Sequence, residues 1–123
     1  MTISRRIFRY AGIYGLIVLF PMLFLEARVG QDFPPPITHA EYFYGFLGLA
    51  LVWQLVFLLI GSDPVRYRPI MPIAILEKLA WGGTVFGMLL LGRPIAVGSQ
   101  VFAAIDLTLG VLFAIAWQRT PPR

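Results

Sequence analysis

The sequence predicts an all-α integral membrane protein, a four-helix bundle with both termini in the cytoplasm, and three observations carry that reading. Of the 123 residues, 59% are hydrophobic and 13% charged, with a mean hydropathy of +0.79; a soluble domain of this size would lack the polar surface to cover its core. Apolar runs close to the ~18 to 20 residues that cross a hydrocarbon core recur near 8–25, 42–60, 70–91 and 98–117. Arginine is unevenly shared between the connections. Arg5, Arg6, Arg9, Arg66, Arg68, Arg119 and Arg123 fall on one side, Arg28 and Arg93 on the other, and the positive-inside bias then places both ends inside. The whole chain, 1–123, reads as one transmembrane domain.

The first span opens on Ser4-Arg5-Arg6 and Phe8, a run similar to a twin-arginine export signal. Tyr10 to Leu25 continues without a polar break, however, and Leu25-Glu26-Ala27 offers no small-x-small cleavage site. An uncleaved first helix anchored by three arginines is expected. Pro21 lies near its far end, where neighbouring helices can cover a freed carbonyl. From Glu26 to Glu41 a stiff, extended spacer is expected rather than a helix, because Phe33-Pro34-Pro35-Pro36 fixes the backbone and removes donors. The second span begins with Tyr42-Phe43-Tyr44, suited to a headgroup boundary, and stops at Gly61-Ser62-Asp63-Pro64. Pro69 and Pro72 fit the opening turn of the third, where a missing donor costs little. Gly92-Arg93-Pro94 turns the chain into the fourth span, which runs to Trp117 before a polar tail. The two hairpins share no motif, so an inverted-repeat transporter is not indicated.

Few residues remain that can carry chemistry. A rise of ~1.5 Å per residue puts Glu77 and Lys78 roughly 8 to 9 Å in from the cytoplasmic end of the third helix, Gln54 at about that depth on the second, and Asp106 roughly 16 Å in on the fourth. Lysine can extend its ammonium along the membrane normal, so Lys78 is expected to meet Asp106. Adjacent helical residues point about 100° apart, so Glu77 is expected to find a partner other than Lys78, among Gln54, Arg66, Arg68 and a nearby tyrosine hydroxyl. Gln54, Glu77, Lys78 and Asp106 thus form a candidate polar pocket in the cytoplasmic half, for a small molecule, a lipid headgroup or protons. The same four residues also fit an internal ion-pair set that fixes helix register, or snorkelling of Glu77 and Lys78. Arg66 and Arg68, bracketed by prolines, are candidate contacts to anionic headgroups. Ala80, Gly83, Thr84 and Gly87 on the third helix, and Ala103, Gly110 and Ala114 on the fourth, form small-residue faces that favour close helix packing.

Several classes are set aside. Without cysteine there are no disulfides, thiolate sites or cysteine nucleophiles. The one histidine, His39, sits near Glu26, Asp32 and Glu41 without ligand spacing, so no metal site is expected, and it cannot supply both axial ligands of a haem. Ser4, Ser62 and Ser99 have no base in a recognisable pattern, no phosphate-binding glycine loop occurs, and no cofactor is expected. The net charge of +4 sits at helix ends, which argues against nucleic-acid binding. Trp53, Trp81 and Trp117 read as packing and interface anchors, or as a stacking wall for a flat lipid or quinone.

The run Tyr42-x-Tyr44-Gly45-Phe46 with Trp53-Gln54, then Asp63-Pro64-x-Arg66-Tyr67-Arg68-Pro69, then Glu77-Lys78 resembles small four-helix bacterial membrane proteins, similar in topology to the DoxX-like group. The resemblance spans about the middle half of the chain and implies a multi-pass protein of the bacterial inner membrane. Two functions fit: a non-enzymatic assembly or accessory subunit, partnered by another membrane protein or by copies of itself, or a bundle that binds or transports a lipid or small molecule through the polar pocket.

Overall fold

The computed structural model describes residues 2–122; Met1 and Arg123, the latter among the arginines counted toward orientation, lie outside the described residues. The described chain is helical without strands: α1 Ile3–Met22, α2 Glu26–Asp32, α3 Ala40–Ser62, a single 3₁₀ turn Arg68–Ile70, α4 Met71–Leu90 and α5 Val97–Arg119. Three helical stretches are long and apolar enough to cross a membrane, namely Ala40–Ser62, Arg68–Leu90 and Val97–Arg119; α1 reaches that standard only together with α2, from which it is bent by 103°.

The N-terminal region departs from expectation at both ends of α1. Helix α1 starts at Ile3 because Thr2 caps it, its side chain accepting the Arg5 amide hydrogen at 3.2 Å. It ends at Met22, just past Pro21, where three-residue bonds carry the chain round a corner: Leu23 N donates to Phe20 O and Phe24 N to Pro21 O. The proline therefore sits in the last turn. The expected spacer from Glu26 to Glu41 is corrected, since its first half is helix α2. Glu26 lies in that helix's first turn, and Arg28 pairs with Asp32 one turn on at 3.0 Å. Only the stretch around the prolines is extended, because a residue before proline is driven out of the α region.

Packing follows small residues. Helix α1 lies along α3, α4 along α5, and α1 also touches α5, whereas α3 and α4, successive in the chain, make no extensive contact. The bundle is thus a row, α3–α1–α5–α4, with a loose seam where its two ends meet. On α1 and α3 the close approach is made by Gly12 against Leu58 and the Gln54 carbonyl, and by Gly61 against the backbone of Arg5 and Arg9. Between α4 and α5 it is made by Gly82 against Leu107 and the Ala103 carbonyl, and by Gly110 against Lys78 Cβ. Ala103 and Gly110 are buried as their face predicted, but the matching face of α4 is turned out: Ala80, Gly83 and Thr84 are exposed, and a Cβ on Gly83 or Gly87 would meet nothing. The spacing located small residues, but one rotation of the helix decides which of Gly82 and Gly83 meets a neighbour.

One end of the bundle is solid. Phe8 of α1 stacks on Phe113 of α5 at 4.2 Å between centroids, and Phe57 of α3 meets Phe113 edge-on at 4.9 Å, each such pair contributing ~0.5–1.5 kcal/mol beyond area burial. Ala11, Ile60, Met71, Ala74 and Ala116 complete this buried cluster. Beyond it the ends are tied together. The hydroxyls of Ser4 and Thr120 lie 2.7 Å apart, both donate to the Ala116 carbonyl, and Arg68 Nε donates to Thr120 O at 2.7 Å. These bonds occupy carbonyls that the last turn of α5 leaves without helical partners.

Gly82→Val and Gly83→Val provide a matched test of this packing. A Cβ at Gly82 would lie 2.7 Å from Leu107 Cγ and 3.1 Å from the Ala103 carbonyl, so Gly82→Val is expected to lower stability in detergent by roughly 1–3 kcal/mol from overpacking. Gly83→Val should leave the melting temperature nearly unchanged. Equal losses would contradict the rotation of α4.

Candidate functional site

Above the aromatic stack the four helices draw apart and enclose a cavity of about 240 Å³. Its floor is polar: Gln54 from α3, Glu77 and Lys78 from α4 and Asp106 from α5, with Tyr14 of α1 beside them. All four residues singled out from the sequence are therefore brought to one site. The walls are apolar and largely aromatic, with Phe43, Phe46 and Leu47 of α3, Trp81 of α4 and Phe102 of α5. Val29 of α2 and Phe33, the residue after it, close the side away from the aromatic stack, and Phe33 packs on Phe102 with centroids 6.2 Å apart. The corner between α1 and α2 thus supplies part of the wall.

Lys78 is the centre of the floor. Only 4% exposed, it passes its stem over Gly110 and holds its ammonium 4.8 Å from the centroid of the Phe57 ring. Nζ lies 3.5 Å from Asp106 Oδ1, with hydrogen-bond geometry, and 3.5 Å from Glu77 Oε2. The first contact is the predicted pairing across α4 and α5. The second corrects the expectation that Glu77 would look elsewhere. Adjacent Cα–Cβ bonds do diverge, but two long flexible side chains can swing back to one point in a low-dielectric space where attraction is strong. Neither arginine serves Glu77: Arg68 is bound to Thr120 O and lies over Trp117, while Arg66 is exposed and lies over Tyr67. Of the two arginines expected at the headgroups, Arg66 is exposed, whereas Arg68 is half-buried and engaged within the protein.

Two acceptors on the floor are left over. Glu77 Oε2 is buried and accepts no hydrogen bond, so its approach to Lys78 is Coulombic without donor alignment. Gln54, 2% exposed, donates through Nε2 to the Ala50 carbonyl at 2.8 Å, but its Oε1 is buried and accepts none. The amide fits only because α1 carries glycine opposite it: a Cβ on Gly15 would fall inside contact distance of Gln54 Oε1. Gly15 and Tyr14 are site residues that sequence reading missed. Nothing in the spacing of α1 signals them, since their role depends on which face of α1 meets α3.

A shallower groove of about 250 Å³ follows the loose seam between α3 and α4, lined by Leu49, Trp53 and Ala80 and sharing Phe46, Ala50, Glu77 and Trp81 with the main cavity. The rings of Phe46 and Trp81 meet across it with centroids 6.2 Å apart. Those shared residues form the partition between the cavity and this outward-facing groove. His39, by contrast, is exposed, 3.1 Å from the Thr38 hydroxyl and stacked on Tyr42. Among the described residues no three of His, Asp and Glu converge in a way that could hold a metal ion.

The floor makes an asymmetric stability prediction. Removing one partner of a buried ion pair costs about 3–5 kcal/mol. Lys78→Met strands two carboxylates, whereas Asp106→Asn leaves Lys78 with Glu77, so the first should lower thermal stability in detergent more than the second. The double variant should recover part of the Lys78→Met loss, and strictly additive losses would show that the two residues are uncoupled.

Comparison with known proteins adds no family to this geometry: no family model, curated protein or solved structure matches the chain.

Proposed function

We propose that this protein is a multi-pass membrane protein that binds an amphiphilic small molecule or lipid inside its helical bundle, polar head on the floor and apolar chain along the aromatic walls, without catalysing a reaction. The observation that carries the reading is the pairing of a ~240 Å³ apolar cavity with two carboxylates on its floor, Glu77 and Asp106, that share one lysine at 3.5 Å. Ionisable groups inside a membrane bundle are costly and mark functional sites, and a few polar groups under apolar walls are the usual composition of ligand sites. A bundle selected for rigidity alone would gain by closing that space.

In this reading α1 and α2 together make the fourth crossing, and the protein resides in the bacterial inner membrane with both termini cytoplasmic. The arginine distribution supports that orientation. Arg5, Arg6, Arg9, Arg66, Arg68 and Arg119 lie at the solid end, where Ser4, Arg68 and Thr120 are bonded together, whereas Arg28 is on α2 and Arg93 follows α4. The resemblance to the DoxX-like group belongs to the same proposal, as a likeness of topology. The assembly reading has one observation of its own: the outward face of Ala80, Gly83, Thr84 and Gly87 can take a helix from a second copy or another membrane protein.

Two measurements test the proposal. Ala50 lines both the cavity and its lateral groove, so Ala50→Phe is expected to abolish retention of a co-purified amphiphile, read by mass spectrometry of the extracted protein, while helicity is kept. Retention unchanged by this filling would place the ligand elsewhere. For orientation, a reporter active only in the cytoplasm should be active when fused after Arg123, and activity of a periplasm-only reporter there would reverse the arrangement.

A further inference from the structure

We infer that the head group taken by this floor is a primary or secondary ammonium, so that the ligand class is the lipophilic amine. The inference rests on the binding reading above and adds the chemistry of the head. Its first ground is charge. Glu77 and Asp106 share a single cation, Lys78, between them, so with both carboxylates ionised the site carries one formal negative charge in excess. Arg66 and Arg68, the nearest other cations in sequence, are engaged at the end of the bundle or exposed. A charge of this kind is costly in a membrane unless it meets an opposite one.

The second ground is hydrogen bonding. Gln54 Oε1 and Glu77 Oε2 are sealed off within the protein, but the Glu77 and Asp106 side chains stay 19% and 21% exposed and line the cavity, so what the floor presents to a ligand is carboxylate oxygen, an acceptor. A ligand that hydrogen-bonds to those carboxylates must bring N–H or O–H donors, which excludes a carboxylate and a fully alkylated ammonium. Lys78 also keeps its distance, at 3.5 Å from each carboxylate, where a tight ammonium–carboxylate bond is about 2.7–2.9 Å. The carboxylates are therefore not saturated by the lysine and can turn toward a second donor.

The third ground is the wall. Phe46, Trp81 and Phe102 present aromatic surface around the floor, and aromatic faces attract a desolvated cation. The apolar remainder of the ligand lies along the apolar walls of the cavity. A neutral alcohol would donate to one acceptor and leave the charge, a quaternary ammonium would meet the charge but leave the acceptors, and a carboxylate would worsen both.

Those differences define the experiment. The full chain in nanodiscs of a zwitterionic lipid is titrated with dodecylammonium, dodecyltrimethylammonium, dodecanol and dodecanoate, following tryptophan fluorescence, with Ala50→Phe as the background for partition into lipid. Saturable binding of dodecylammonium at least about tenfold tighter than of the other three is expected, as for one hydrogen bond to a charged group. Glu77→Gln, checked for helicity, should reduce that preference to the level of the alcohol. If dodecanol or dodecyltrimethylammonium binds saturably and as tightly, the ammonium assignment is overturned and the binding site stands. Should dodecanoate bind best, the charge argument is overturned. If none of the four exceeds the Ala50→Phe background, the inference and the binding reading fall together.

Discussion

The bundle depends on Lys78 being held between Glu77 and Asp106. A lysine this deeply buried must be neutralised, and the two carboxylates 3.5 Å away do so from its own helix and from α5. That requirement constrains how α4 sits against α5, and Gly110 of α5 lies close under the lysine stem, where an added Cβ would come 3.3 Å from Lys78 Cβ. The ammonium also lies on the Phe57 ring, which belongs to the stack sealing the end of the bundle. One side chain therefore joins the charged floor, the helix register and the packed core.

The contrast between the two ends of the molecule follows from what the helices carry there. At the solid end three phenylalanines from three helices fill the axis, and Ser4, Arg68 and Thr120 tie the chain ends together. In lipid there is little hydrophobic drive to bring helices together, so such interdigitated packing and close backbone approach must supply cohesion. At the other end the aromatic residues line the space instead of filling it. The corner after Pro21 sends α2 across, and α3 and α4 are left without extensive contact. A lateral groove is the direct result of that missing helix pair.

Only some of this architecture was legible in the residues. Hydropathy and proline placement located α3, α4 and α5, because a span needs about 20 apolar residues whatever its neighbours are. Ionisable residues in apolar helices singled out Gln54, Glu77, Lys78 and Asp106, since their cost in a membrane does not depend on the fold. The N-terminal third was less readable. Arg5, Arg6 and Arg9 masked the start of α1, and the proline run at 34–36 hid the helix-favouring stretch just before it, which became α2.

The sequence by itself determined the helical class, the apolar stretches and the polar side chains that must find partners, because these follow from local hydrogen bonding and transfer energy. The tertiary structure alone decided which partners they found. Glu77 joins Lys78 because two long side chains converge over α5, a geometry that the angle between neighbouring Cβ atoms does not contain. Gly82 packs while Gly83 faces out, and Gly15 admits Gln54, because helix rotation is set by the sum of contacts with other helices. The cavity is likewise a property of the assembly: it exists where four helices fail to meet, and no single segment encodes a space that lies between them.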